Sequence, residues 1–450
     1  INLGTGTGSG NITMSSINTA AGFSLTGEQN ADIDIENTTV ASGLTITNAG
    51  EGTLDASALN AASLSITKGV GSGETVTFQT ISSNGVASIT LSGASGTISA
   101  STIQAGGFTL DTSNLLEDTT TNFINTLSVS GDTNISLGAG GLLASSITVQ
   151  SAGITLTKGA GSSDLTINTT LAVSSNGANS LATIIGGGSG SFVISAITTT
   201  SGFLFNGENM SVTSGDYFSA ETLTNTSADV TFNYGQGSAA FFEVSALNSN
   251  GAFNITGTNL ATGNITIADL SAQGNISIEL GGMSGSATIS AIDSEGTFTL
   301  NAGGAANLAF NAEHLSASAA TITLGAVSDA AMNNSISALN VSNAFTLNGS
   351  AYREGFSAQT ISASAISVTF GDLADFFFAS SVTAQNFTFV GGDGANFSAE
   401  MSVVVIEDAD WSITMPELGN GLTIDNLTFS ASGTIVVTFE WNLNLSLIHN

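Results

Sequence analysis

Apolar residues in this chain recur as pairs separated by a single residue, and the pairs return at a nearly constant interval. They read Ile1/Leu3, Phe23/Leu25, Leu44/Ile46, Leu64/Ile66, Ile89/Leu91, Phe108/Leu110, Ile135/Leu137 and Ile154/Leu156. After a less regular unit at Ala182/Ile184 the series continues through Phe203/Phe205, Val230/Phe232, Phe253/Ile255, Ile276/Ile278, Phe298/Leu300, Ile322/Leu324, Phe345/Leu347, Ile366/Val368, Phe387/Phe389, Trp411/Ile413 and Ile435/Val437. The mean spacing is about 22.8 residues, inside the roughly 20–50 residue range of solenoids and repeat arrays. A lone apolar residue often stands five or six positions before the next pair, as Ile17, Leu59, Ile103, Ile197, Leu247, Leu270, Ile292, Leu339, Ile361 and Val382 do. Upstream of it a second alternating pair is frequent, for example Ile265/Ile267 or Phe376/Phe378. Alternation with a period of two places the apolar members on one face of a strand and the small polar ones on the other. Each unit therefore predicts two or three short strands joined by turns.

A period of this length without helical spacing has few physical solutions. Stacking the units in parallel, about 4.8 Å apart, buries the apolar pairs in one continuous core. The expected fold is all-β, a parallel β-solenoid of about 20 rungs, which at that spacing makes a rod roughly 95 Å long. Glycine supplies the turn conformations, and the longer intervals, Phe108 to Ile135, Ile154 to Ala182 and Phe203 to Val230, are expected to carry loops. The rival is a string of β-sandwiches, whose strands are dissimilar and whose linkers use proline. Here neighbouring units resemble one another and Pro416 is the one proline, so residues 1–450 are read as a single β-solenoid domain.

Composition narrows the function. Of 450 residues, 34 are Asp or Glu and 3 are Lys or Arg, a net charge of −31, and cysteine is absent. Nucleic acid is an unsuitable partner, because Lys68, Lys158 and Arg353 cannot neutralise a phosphate backbone. Without cysteine there is no disulfide, zinc–thiolate site or thiol nucleophile. No run of about 18 apolar residues predicts a membrane span. With 8% charged and 41% hydrophobic residues the chain can still fold despite its acidity. Residue 1 is not Met and no signal-peptide pattern follows, so it is read as the start of a mature or excised segment.

Candidate chemistry is sparse. Asp32, Asp34 and Glu36 alternate with Ile33 and Ile35 and so share an outward face, and Glu407, Asp408 and Asp410 precede Trp411. Carboxylate rows of this kind suit Ca²⁺, a hard cation that takes oxygen ligands, and these six residues are the metal candidates, set against a reading as solvated surface charge. Arg353 beside Glu354 reads as a surface ion pair, His314 as an outward rung residue, and His449 as terminal. The glycine-rich stretches around Gly6, Lys68 and Lys158 lack the G-x-x-x-x-G-K-[ST] pattern and a following helix, so they read as turns, with both lysines at one rung position. Catalytic and cofactor-binding residues are none. Asn-x-Ser/Thr triplets, such as those at Asn11, Asn134, Asn264, Asn275, Asn386 and Asn426, follow from composition and matter only in a glycosylating setting.

The ends bear on assembly. Solenoids need polar caps, yet the chain opens on Ile1 and Leu3 and closes on Trp441, Leu443, Leu445 and Leu447, alternating strands with apolar faces. These six residues are the self-association candidates. Either the solenoid continues in a longer polypeptide or copies meet head to tail.

Abundant Thr, Ser, Gly, Ala and Asn, scarce lysine, no cysteine and solenoid rungs together make a profile that resembles bacterial surface-layer proteins and large secreted adhesins. The calcium-dependent kind exported by type I secretion is the nearest in character. Its G-G-x-G-x-D-x-U-x repeat is approached once, at Gly391-Gly392-Asp393-Gly394-Ala395-Asn396-Phe397-Ser398-Ala399, with Asn396 in place of Asp and Ser398 in place of a large apolar residue. The resemblance implies an extracellular or cell-surface location on a bacterium, and calcium as the one candidate cofactor. The expected function is a non-catalytic structural protein that self-associates, end to end or laterally, into a surface layer, sheath or filament. The alternatives are an adhesin or a carbohydrate- or ice-binding rod with a cell-surface glycan as partner, and a polysaccharide-degrading enzyme. Thr45/Thr47, Thr155/Thr157, Thr297/Thr299 and Thr321/Thr323 are the threonine pairs that an ice-binding face would use, and only the last two fall on neighbouring rungs.

Overall fold

The structure is a computed structural model. It describes the chain except for residues 2–9, 28–29, 49, 71–73, 94–95, 116–120, 175–180, 211–216, 235–238, 258–261, 282, 304–307, 326–333, 350–354, 372–375, 392–397, 407–409, 416–420, 430–433 and 440–450. Among the described residues the regular elements are all β-strands, the described registers are all parallel, and the fold is the expected parallel β-solenoid. The chain divides into two compact units, Ile1–Asn233 and Tyr234–Asn450.

A rung has three faces. The strand Leu54–Val70 runs along all of them: Leu54 and Ala56 point inward on the first face, Leu59 and Ala61 on the second, Leu64 and Ile66 on the third. Glu74–Gly93 repeats the course one rung further with Val76 and Phe78, then Ile81 and Ser83, then Ala87 and Ile89. Register slips near Ala61 and Ser83 mark the corner between the second and third faces, where the two rungs differ in length. Length variation is absorbed at corners, so the ladders on the faces stay aligned.

In the first unit the leading inward position of the third face steps through Phe23, Leu44, Leu64, Ala87, Phe108, Thr133, Ile154, Ala182 and Phe203. In the second unit it steps through Phe253, Ile276, Phe298, Ala320, Phe345, Ile366 and Phe387. Three sequence pairs are thereby corrected by two residues. Ile89/Leu91, Ile135/Leu137 and Ile322/Leu324 give way to Ala87/Ile89, Thr133/Ile135 and Ala320/Ile322. The reason is that a small or hydroxyl residue holds the leading position in each, so the apolar pair nearest in sequence starts one inward step too late. Leu3 lies outside the described residues, so the described third-face strands begin at Phe23 and fall short of the 20 expected.

Stacking in columns concentrates large side chains. Phe192, Phe203, Phe205, Phe218 and Phe232 form one cluster in the first unit, with centroids 5.0 Å apart for Phe205–Phe218 and for Phe218–Phe232. In the second unit Phe356 and Phe377 are directly paired across the ladder and lie nearly parallel at 6.3 Å. Each such side chain contributes about 1.5–3 kcal/mol through burial, with aromatic contacts adding to this. Close stacking also fixes glycine at Gly285, whose φ of +138° is unsuited to other residues and whose Cβ would run into the Gly263 carbonyl.

Among the described residues, two core positions hold a threonine whose hydroxyl is unpartnered. Thr38 stands in the second-face column between Ile17 and Leu59, and Thr133 in the third-face column between Phe108 and Ile154. Both are buried and neither hydroxyl has a partner. A buried hydroxyl without a hydrogen bond costs about 1–3 kcal/mol. Thr38→Val and Thr133→Val, which keep the shape, are each expected to raise the denaturation midpoint by the equivalent of about 1–2 kcal/mol in a urea titration.

Candidate functional site

The turn that leads from the third face of one rung to the first face of the next gathers the unusual chemistry. Two residues beyond each third-face pair the chain keeps one more inward position, which aligns Asn48, Lys68 and Leu91 across successive rungs. Lys158 has the same place after Leu156. Both lysines are buried, Lys68 completely and Lys158 with 2% of its surface exposed. The shared position expected from sequence holds, and the structure adds that these side chains point into the core.

A buried ammonium needs acceptors for its protons. The Lys68 Nζ donates to the carbonyls of Gly50 and Gly69, each at 2.6 Å. The Lys158 Nζ donates to Gly161 at 2.6 Å, to Gly187 at 3.1 Å and to Ser189. Each lysine thus ties a turn of its own rung to a turn of a neighbouring one. Burial pushes the Lys68 pKa below its ordinary 10.5, while the carboxylates of Glu74, Asp32 and Glu51 act in the opposite direction.

Acidic and amide groups complete the turn beside Lys68. Asn48 Oδ1 accepts from the Gly50 amide at 3.1 Å, Asn30 Oδ1 from Glu51 at 2.9 Å, and Glu74 Oε1 from Gly52 at 2.8 Å. Asp32 Oδ1 accepts from the Thr53 amide at 2.9 Å and from its hydroxyl at 3.0 Å, and these bonds hold the Asp32 carboxyl below its usual pKa. The same device recurs elsewhere, with Asp164 accepting from the Ser191 amide at 2.7 Å and Asn275 from Thr297 at 2.9 Å. Some of the acidity therefore serves to cap backbone amides between rungs.

Sequence reasoning missed Asn122 and Asn334. Each occupies the leading inward position of the first face, where other rungs carry Val, Ile, Leu, Phe or Ala, and each is fully buried. Asn122 Oδ1 accepts from the Ile98 amide at 3.1 Å in the preceding rung, and its Nδ2 donates to the Gly141 carbonyl at 3.1 Å in the following one. Asn334 Oδ1 accepts from the Phe310 amide at 2.7 Å. Their signal in sequence is an Asn two residues before Ile124 or Ile336, at the start of a strand.

Of the metal candidates, Asp32 takes part in this arrangement through Thr53. Asp32, Asp34 and Glu36 are exposed in a row on the outer side of the first face, as alternation predicted. Asp34 stands between Thr13 and Asp55 in the ladder. Among the described residues no group of three or more His, Cys, Asp or Glu side chains is disposed to hold a metal ion. Asp410 opens the strand Asp410–Met415, paired with Thr434, whereas Glu407 and Asp408 are outside the described residues. His314 is exposed on the second face between Ala291 and Ala338. Arg353, Glu354, His449 and residues 392–397 of the glycine-rich nonapeptide are outside the described chain.

Of the self-association candidates, Ile1 is 65% exposed, its ammonium donates to the Ser24 carbonyl at 2.6 Å, and its carbonyl accepts from Thr26 at 2.8 Å. Leu3, Trp441, Leu443, Leu445 and Leu447 are outside the described residues. Among the threonine pairs, Thr299 sits beside Thr321, but Thr297 pairs with Ala319, so the two pairs share one column and not two. No helix among the described residues is long and apolar enough to cross a membrane. Comparison with known proteins finds no matching family model, no similar curated protein and no similar solved structure.

Two outcomes test this account of the turns and buried amides. Asn122→Ala leaves the Ile98 amide and the Gly141 carbonyl unpaired and is expected to cost about 2–4 kcal/mol in equilibrium unfolding, with faster hydrogen exchange at Ile98. For Lys68 the folded pKa lies below the unfolded one, so between the two the unfolded chain holds the extra proton. Its contribution to stability therefore rises as pH is raised through the window below 10.5, and Lys68→Met should flatten that part of the stability–pH curve measured by urea titration.

Proposed function

We propose that this chain is a non-catalytic structural protein of the cell exterior, a β-solenoid that self-associates into a surface layer, sheath or filament. The observation that carries the reading is how the chain uses its few reactive groups. The buried ammonium groups of Lys68 and Lys158 are committed to backbone carbonyls, and Asp32, Asp164 and Glu74 accept from backbone amides of adjoining rungs. Chemistry that an enzyme would aim at a substrate is spent here on holding rungs together. Much of the outward ladder surface is made of small polar side chains, with acids among them.

The mechanism is geometric. Parallel ladders and apolar columns stiffen each unit, and regular outward faces offer the same pattern at every rung. A net charge of −31 keeps copies apart until ions screen it, over about 10 Å at 0.1 M salt. Bacterial surface-layer proteins and secreted adhesins supply the analogy for an extracellular setting.

One observation favours a second reading, a glycan- or ice-binding module. On the third face of the first unit the outward column Ser24, Thr45, Ser65, Ser88, Thr109, Asn134 and Thr155 is polar and uncharged over successive rungs. A flat array of hydroxyls suits an ordered uncharged surface.

Negative-stain microscopy and sedimentation of the purified chain test the leading reading. Filaments or lattices are expected in moderate salt, loosening at low ionic strength or in EDTA. Monomers at every salt and protein concentration would overturn it, and turnover of a polysaccharide would overturn its non-catalytic part.

A further inference from the structure

Acidic side chains are unevenly placed around the first unit. On its first face Asp32, Asp34 and Asp55 point outward in adjoining rungs. The column of Asp34 and Asp55 is uncharged from Thr77 to Ser219, and on the third face Asp111 points outward. The second face carries no such acid. From Asn37 and Thr39 to Thr222 and Thr224, nine rungs present no charged residue at an outward second-face position. In the second unit the same face carries Asp269 and Asp293.

The uncharged face is also regular. Thr80, Thr102, Thr126, Ser146 and Thr170 are direct ladder partners in one column. The column beside it, from Ser82 to Ala172, is small or amide-bearing throughout. Val86, 54% exposed, stands at the corner where this face turns into the third.

Resting on the structural reading above, we propose that the second face of the first unit is a lateral interface for a second copy of this chain. Three arguments point to that occupant. A chain of charge −31 meets the least self-repulsion where its own acids are missing. A partner with the same axial repeat of about 4.8 Å matches the columns rung for rung, so small side chains of one copy settle between those of the other as in a dry zipper. Nine rungs, with a face about 18 Å across including its corner residues, of which Glu36 and Glu221 in the two end rungs are acidic, offer about 800 Å² per partner, the size of a standard specific interface. Two-fold symmetry makes such a contact self-complementary, and an axis through the middle of the threonine column sets Thr126 opposite its own copy.

The absence of native cysteine makes the contact directly testable. Thr126→Cys on the second face and Thr155→Cys on the third are purified reduced, checked for β-sheet content, and oxidised mildly at equal concentration. Thr126→Cys should form disulfide-linked dimers at least tenfold faster than Thr155→Cys; equal rates, or faster dimerisation through Thr155, would overturn the assignment. The double variant Thr126→Asp with Thr148→Asp should weaken lateral association at least tenfold in sedimentation while keeping its sheet signal, and unchanged association would overturn the proposal. If the wild-type chain associates and both second-face variants behave like it, the structural reading survives and this surface fails. Binding of monomers to microcrystalline cellulose that is lost in the double Asp variant would assign the face to a glycan and overturn the second copy.

Discussion

Everything in this protein depends on one constraint: parallel strands stacked in register turn every inward position into a column shared by all neighbouring rungs. A side chain at such a position is packed from below and above by its equivalents, so Phe356 meets Phe377 and Leu54 meets Val76. Column packing explains the monotony of the sequence. It also explains why exceptions are informative, since a polar residue in a column has no route to water.

The exceptions divide by whether they find partners. Asn122 and Asn334 bond to the backbone of adjoining rungs, and Lys68 and Lys158 reach the carbonyls of turns. Thr38 and Thr133 find none. The buried amides and lysines thus perform between rungs the work that caps perform in helices: they satisfy backbone groups where ladder bonding alone leaves gaps. Variation in rung length is tolerated for the same reason, because extra residues leave at corners while side chains there restore the lost backbone bonds.

The outward surface obeys a weaker version of the constraint. Its positions are also columns, but water can serve any polar group there, so composition is free to vary with what the face meets. Three acids in adjoining rungs on one face and nine uncharged rungs on another lie on the same unit. Such segregation follows from no requirement of folding, which would accept charge on any exposed position.

The alternation of apolar residues and its period were enough to determine the parallel solenoid, because burial of one strand face in a stacked rung demands that pattern and few others satisfy it. Alternation also settled that Asp32, Asp34 and Glu36 point outward. It could not settle register where the leading residue is Ala87, Thr133 or Ala320, since hydrophobicity identifies a column only when its occupant is large. Nor could it reveal that Lys68, Lys158, Asn122 and Asn334 are interior. A charged or amide side chain reads as surface until the tertiary structure brings backbone acceptors and donors from other rungs around it, and those partners, from 18 to 31 positions away in the chain, exist only once the rungs are stacked.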